Sequence, residues 1–349
     1  MTEPKAIVEV HDLRKEFRVL RHRTGVFGAV RGLFSHEGRT VRAVDDVSFT
    51  IESGELVGYV GANGAGKSTT IKILVGILRA TSGSVRVLGR DPHRYRRQNA
   101  LRIGVVFGQR TQLWWDLPPT ESFQLLGTLY RIPPRELETR RDELVDRLAL
   151  GSVLDVPVRK LSLGQRMRCE LTASLLHSPD LVILDEPTIG LDVVAKEEVR
   201  AFLRKLHADR GTTLILTSHD LGDIERLCSR VLVIDEGRLL HDGDVESLRR
   251  LFGHRRILQI DLRSSGLRDD DGRSSDGEAR DSLHLPPGCE VLEQTGPRIL
   301  VEFDPDQIPA PELIRQVLAQ REVLDLGLQE TPIEDVVRRI YRGDRGSEA

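Results

Sequence analysis

No uninterrupted apolar segment of this 349-residue chain approaches the ~20 residues that a membrane-spanning helix needs. The opening stretch MTEPKAIVEV has no basic region followed by an apolar core, so it does not read as a secretory leader. If the protein serves a membrane, another chain is expected to cross it. Cysteine is scarce: Cys169, Cys228 and Cys289 are scattered without a CxxC pair, which argues against a disulfide framework and a zinc site and fits a reducing cytosol. A surplus of charge is also missing, with 51 basic against 54 acidic residues. No global basic field therefore invites nucleic acid, and no acidic tail invites a basic partner. The length suffices for two domains with a substantial core, and no internal repeat is evident.

What the chain does have is concentrated at residues 54–75, GELVGYVGANGAGKSTTIKILV. The apolar run 56–60, bounded by glycine, predicts a buried strand, and residues 70–78 predict an amphipathic helix. Between them stand Gly61, Ala62, Asn63, Gly64, Ala65, Gly66, Lys67, Ser68 and Thr69, the pattern GxxxxGK[ST]. The glycines open backbone conformations closed to residues with a Cβ, so that successive N–H groups can face a polyphosphate at the positive end of a helix. Lys67 is placed to reach the β- and γ-phosphates, and the Ser68 hydroxyl to hold magnesium. A glycine-rich loop alone more often marks a turn; the full pattern between strand and helix points to a nucleotide.

Ahead of that stretch, residues 6–10 predict a strand and 12–19 a turn leading into a second strand that carries Phe17. Residues 18–40 form an Arg- and Gly-rich insertion, read either as a solvated surface loop or as a short amphipathic helix beside a membrane. Residues 41–51 resume the strand pattern and 83–89 add a hairpin element, giving an antiparallel sheet edge joined to an α/β core. A buried strand over 103–107 ends at Gly108 and Gln109. After it come a loop over 111–120, TQLWWDLPPT, and helices over 121–131 and 135–150. Gln109 thus stands at the junction of a β core with a helical insert, where a glutamine can sense ligand. LSLGQR at 161–166 precedes a helix over 167–177, and Ser162 and Gly164 near its start make a second anion-binding terminus. The strand LVIL at 181–184 delivers Asp185 and Glu186 at its carboxyl end, followed by PTIGLD. A strand over 213–217 ends at Ser218 and His219. Open α/β sheets bind ligands beyond the carboxyl ends of their strands, so the phosphate loop, Asp185, Glu186 and His219 are expected on one edge. Residues 231–235, a turn at Gly237 and residues 244–252 close a first domain. Residues 264–282, almost without apolar side chains, are expected to be a disordered loop. Strand patterns at 257–262, 290–292, 299–303 and 323–328, with helices over 311–318 and 332–341, predict a small α+β domain around it.

With these pieces in order, residues 6–250 resemble the ATPase subunit of ABC transporters. GANGAGKST is similar to its Walker A motif, Gln109 to its Q-loop, LSLGQ to its signature, LVILDE to its Walker B, Gly190–Asp192 to its D-loop and His219 to its switch histidine. The resemblance implies an α/β P-loop NTPase core with an antiparallel β subdomain and a helical insert at about 110–180, filling residues 1–252. Residues 253–349 then make a small C-terminal α+β accessory domain. GQRTQLWWDLP, LSLGQRMRCEL and TIGLD look like the ABC-2 type exporters, in the branch of viologen exporters and daunorubicin-resistance ATPases.

From the same resemblance follow ATP and Mg2+ as cofactors. The nucleotide would be held by residues 61–69, Gln109, Ser162, Gly164, Gln165 and Asp192, with Phe17 either stacking on adenine or packing. Magnesium would be held by Ser68, Gln109 and Asp185. Glu186 would polarise the attacking water, with Lys67 and His219 on the γ-phosphate. Leu163 departs from the glycine usual in the signature, and Phe17 from a frequent tyrosine. ATP is expected between two cassettes, so the partners implied are a second ATPase subunit, a copy or a homologue, and an integral-membrane permease. Nucleic acid, and any metal beyond Mg2+, are not expected. The location implied is peripheral, on the cytoplasmic face of the cell membrane. Trp114 and Trp115 stand where a permease's cytoplasmic helix would dock, unless they pack the helical insert. The alternatives are a polysaccharide or teichoic-acid exporter ATPase, which shares a similar insertion, and a soluble non-transport ABC ATPase.

Overall fold

The computed structural model describes residues 5–20, 38–108, 110–218, 221–251, 255–263 and 283–330. Gln109, His219, the bulk of the insertion after residue 20, the loop at 264–282 and the helix expected over 332–341 lie outside the described residues. The chain divides into two compact units, Met1–Val245 and Glu246–Ala349, slightly ahead of the division at 252 that composition suggests.

In the first unit, β1 (Ala6–Leu20) pairs antiparallel with β2 (Gly38–Glu52) on one side and with β4 (Ser82–Val87) on the other. The turn expected at residue 12 is instead an irregularity within one long strand. Asp12 takes a φ of 49° and its N–H donates to Ser48 Oγ at 2.8 Å, so the register shifts while the ladder continues beyond it. The second sheet runs β5-β6-β7-β3-β8-β9. It comprises β3 (Leu56–Gly61), β5 (Ile103–Phe107), β6 (Leu181–Asp185), β7 (Thr213–Ser218), β8 (Arg230–Asp235) and an antiparallel edge strand β9 (Arg238–Gly243). β3 and β7 are buried at every position and β6 at all but its last. Their buried runs are what a parallel sheet covered on both faces requires.

Helix α1 (Lys67–Leu74) begins inside the glycine loop and stops before the expected residue 78. Gly76 ends it: its φ is 75°, and a Cβ there would stand 2.1 Å from the Pro92 carbonyl oxygen. A short α2 (Arg96–Ala100) leads into β5. The helical insert holds α3 (Pro119–Leu129), α4 (Pro134–Arg147) and α5 (Leu163–Leu175), and proline opens the first two, where its missing N–H costs nothing. Helix α6 (Val193–Arg210), absent from the sequence expectations, starts at Asp192, whose side chain accepts from Ala195 N at 2.8 Å, and ends at Gly211 in the left-handed conformation. Helix α7 (Leu221–Leu227) joins β7 to β8.

Helix α8 (Val245–Leu251) spans the division between the units. The second unit holds a four-stranded antiparallel sheet in the order β11-β12-β10-β13, from β10 (Arg256–Leu262), β11 (Cys289–Thr295), β12 (Arg298–Phe303) and β13 (Val323–Glu330). Helix α9 (Ala310–Gln320) packs Leu313 and Val317 against Ile260, Val301 and Phe303, which closes an α+β core.

Candidate nucleotide site

Strand order assembles the site. β6, β7 and β3 are neighbours with parallel register, so Asp185, Thr217 and Tyr59 stand in one row across the sheet, and the loop 61–67 leaves the carboxyl end of β3 beside them. Two glycines of that loop are sterically required. A Cβ on Gly61 would lie 2.5 Å from Ile234 O, and one on Gly66, whose φ is 108°, would lie 2.4 Å from Ala43 O. Gly64 also has positive φ, 89°, with open space around it. Beneath the loop, the buried Tyr59 hydroxyl meets Thr70 Oγ1 at 3.2 Å, and Thr70 donates to Gly66 O at 3.2 Å. The Gly237 N–H donates to Ala65 O at 3.0 Å and fixes the loop from the far side.

Lys67 is buried, and its ammonium donates to Gly61 O at 2.5 Å and Ala62 O at 3.2 Å. Burial pulls this lysine below the usual range, while the carboxylates of Glu186 and Asp185 push it back up. Ser68 Oγ stands 3.5 Å from Asp185 Oδ2. The other Asp185 oxygen accepts from Thr217 Oγ1 at 2.6 Å. Glu186 N–H donates to both Thr217 O and Thr217 Oγ1 at 3.1 Å. Thr217 therefore fixes the two acidic residues relative to each other, a role that the sequence did not reveal. Glu186 also holds a φ of 56°, a left-handed conformation uncommon for a residue with a side chain and concentrated at functional sites. Asn63, Ser68, Lys72, Phe107, Arg110, Asp185, Glu186 and Ile189 line one cleft. Phe17 does not line it: this half-exposed ring on β1 has Lys15 Nζ 5.0 Å from its centroid.

The signature forms the start of α5. Ser162 Oγ accepts from Gln165 N at 3.2 Å, and Gln165 Oε1 accepts from Ser162 N at 2.9 Å, a reciprocal capping box. Ser162 is exposed, and Ser162, Gly164 and Gln165 are not among the residues lining the cleft. Leu163 fits in place of glycine because its neighbour is itself a glycine: a Cβ on Gly190 would lie 2.9 Å from Leu163 Cδ2. Asp192 serves as the cap of α6 rather than lining the cleft.

Further along α5, Glu170 is buried and accepts from Thr111 Oγ1 and, at 3.2 Å, from Gln112 N, tying the segment just after residue 109 to the signature helix. Burial pushes this carboxyl up, against those hydrogen bonds. A carboxylate on the apolar face shared by Met167 and Leu171 is the signal that could have found it. The Arg166 guanidinium lies 5.5 Å from the Trp115 ring centroid, and both Trp114 and Trp115 stay half-exposed, so neither ring is a core residue of the insert. Behind the acidic pair, Arg200 Nε donates to the fully buried Asp223 at 2.6 Å, and Thr188 Oγ1 bonds the same carboxylate.

The ABC transporter family model matches residues 44–189. Over 310 residues the chain is 34% identical to the Nod factor export ATP-binding protein I of Rhizobium leguminosarum bv. viciae, covering 88% of this chain and 91% of that protein. Over 306 residues it is 31% identical to the daunorubicin resistance ATP-binding protein DrrA3 of Streptomyces coeruleorubidus, covering 87% and 92%. Both matches are longer than the whole first unit. A solved ATP-binding subunit of an ABC transporter superposes with a TM-score of 0.57 at 26% identity, over 70% of this chain and 93% of that one.

Proposed function

Because this chain belongs to the ABC transporter family of ATP-binding proteins, we propose that it is the ATPase subunit that drives an export system, with its cargo carried by a separate permease. It binds and hydrolyses ATP. The observation that carries the mechanism is a division of labour: Lys67, Ser68, Asp185 and Glu186 share one strand edge, while the signature residues stand outside that cleft.

The residues present fit ATP with magnesium. Gly61 and Gly66 leave room where a Cβ would collide with backbone. Lys67 supplies a buried cation, and Ser68 with Asp185 offers the hydroxyl and carboxylate oxygens that a hard divalent cation prefers. Magnesium, when bound, neutralises charge on the phosphate oxygens. Ser68 and Asp185 would hold it, and Thr217 keeps Asp185 turned towards Ser68. Lys67 would leave the Gly61 and Ala62 carbonyls for the phosphates. Glu186, its backbone locked by Thr217, would take a proton from the attacking water as that oxygen bonds to the γ-phosphorus and the bond to ADP breaks. Gln109 and His219 would join from outside the described residues.

Ser162, Gly164 and Gln165 would then serve the phosphates of a second copy of the chain, which would supply its own signature in return. Val193 and Val194, 81% and 70% exposed just after Asp192, are apolar surface that such a partner would cover. Among the described residues no helix is long and apolar enough to cross a membrane. Attachment would come through a permease, on its cytoplasmic side, with Trp114 and Trp115 as anchors. The names of the two relatives support export over import.

Capture of the tagged chain from its own membranes tests this reading. A multi-span permease is expected in the eluate, and changing Trp114 and Trp115 to alanine should weaken that capture while ATP binding persists. Capture of ribosomes with no membrane protein would contradict the export reading.

A further inference from the structure

Many arginines of the first unit close on a carboxylate, as in Arg102–Asp180, Arg147–Asp209, Arg200–Asp223 and Arg230–Asp242. One stretch gathers several that do not. Residues 79–97 carry six arginines and a single acid, Asp91. Arg79, Arg86, Arg90, Arg94, Arg96 and Arg97 are all exposed, and among the described residues no carboxylate forms an ion pair with any of them. Asp91 is engaged locally, accepting from the backbone N–H groups of His93 and Arg94 at 2.9 Å each. Glu9 stands opposite Arg86 in the β1–β4 ladder but comes no closer than the ion-pair limit. Arg79, Arg86 and Arg90, with His93 and Tyr95, line one open depression beside β4.

Such a surface is not explained by packing or by the nucleotide cleft, since none of these residues lines that cleft. Guanidinium forks without carboxylate partners match phosphate oxygens in pairs. The overall charge of the chain is only −3, so the attraction is local and would orient the molecule rather than merely draw it in. The stretch also exposes Tyr95, with the Arg94 guanidinium 5.6 Å from its ring centroid, and Leu101 is exposed four residues beyond its end. That mixture of arginine, aromatic and aliphatic side chains suits the headgroup zone of a bilayer. We propose that the depression formed by β4 and the arginine-rich segment leading to α2 rests on the anionic surface of the membrane and takes phosphate headgroups there. The choice of a bilayer as partner rests on the export reading above.

The full chain is sedimented with vesicles of phosphatidylcholine alone or mixed with phosphatidylglycerol, at physiological ionic strength. Retention on the anionic vesicles only is expected, weakening as salt is raised. Changing Arg86 and Arg90 together to glutamine should lower retention about 30-fold, from the contribution of each arginine near an anionic surface. Changing Arg131 and Arg135 on the helical insert, two exposed arginines that form no ion pair among the described residues, removes the same charge and should leave retention unchanged. All these positions are exposed, and unaltered ATPase activity in solution would confirm that the variants are folded. Equal retention on both vesicle types, or equal losses in the two double variants, would overturn the proposal. Binding of duplex DNA through Arg86 and Arg90 without retention on anionic vesicles would overturn it in favour of a nucleic acid. Permease capture without vesicle retention would remove this inference alone. Vesicle retention without a permease would keep the surface and remove the export reading.

Discussion

The two regions of the first unit proposed to meet phosphate are built to different degrees of completion. The loop 61–67 with its acidic neighbours is finished within one chain: Lys67 is buried, Asp185 is held by Thr217, and two glycines exclude any side chain. The signature at the start of α5 is finished only as a helix start. Its Ser162 and Gln165 satisfy each other in a capping box, on an exposed edge away from the cleft. A helix terminus suits an anion, and in the proposed dimer a second copy of the chain would bring the phosphate. Burial would then separate what a chain does for itself from what it offers a partner.

The sharpest break in that comparison should come within the finished half. Lys67→Ala should lose ATP, since it is the residue whose ammonium the loop encloses. Glu186→Gln should bind ATP normally yet hydrolyse it about 1000-fold more slowly, because the amide keeps the size and the backbone bonds to Thr217 but accepts no proton. Equilibrium binding of a fluorescent ATP analogue alongside phosphate release separates the two. Hydrolysis by Glu186→Gln within a few-fold of wild type would remove Glu186 from the role of base.

In the signature half, cap and phosphate contact can be separated. Ser162→Asp keeps an oxygen that accepts from Gln165 N–H, so thermal stability should hold, while its negative charge should lower ATPase activity about 100-fold, the scale of a lost phosphate-facing donor. Ser162→Ala should do the reverse in stability, losing about 1 kcal/mol with the cap. Equal activity in Ser162→Asp and wild type would leave Ser162 as a cap and nothing more.

An effect outside both halves, visible only as a pH dependence of stability, lies beyond the far end of the signature helix, at His177. Its ring stacks on Tyr130 with centroids 4.0 Å apart, Nε2 meets Ile103 O at 3.2 Å, and Nδ1 has no partner among the described residues. Burial lowers its pKa from 6.5 to about 4. The unfolded chain therefore takes up the proton first as pH falls. The stabilisation is complete above pH 6.5 and is lost between there and about pH 4, by up to about 3 kcal/mol. His177→Phe should flatten that part of a chemical-denaturation profile against pH; an unchanged slope would place the titration elsewhere.

The finished half was largely legible because its chemistry is written in contiguous residues: GANGAGKST and LVILDE name the groups, and short apolar runs bounded by polar residues or glycine mark β3, β6 and β7. What was not legible depends on register and pairing. Thr217 reaches both Asp185 and Glu186 only because β6 and β7 align Asp185 with Thr217, and the left-handed φ of Glu186 has no sequence signal. Gly76 and Asp12 moved two boundaries through local backbone geometry, ending α1 early and turning an expected turn into a strand irregularity. Helix α6 escaped although Val199, Phe202, Leu203 and Leu206 recur at helical spacing and are buried. The arginines at 79–97 that pair with no carboxylate among the described residues were hidden by a balanced total charge.

The claim that one half is completed by a second copy is tested most directly by mixing two inactive proteins, Lys67→Ala and Ser162→Arg. A mixed dimer pairs an intact phosphate loop with an intact signature at one of its two sites. Equal mixing should therefore restore ATPase activity to about a quarter of wild type, half of the dimers being mixed and each having one working site. Activity no greater than the sum of the two separate proteins, with mixed dimers shown to form, would contradict the shared site.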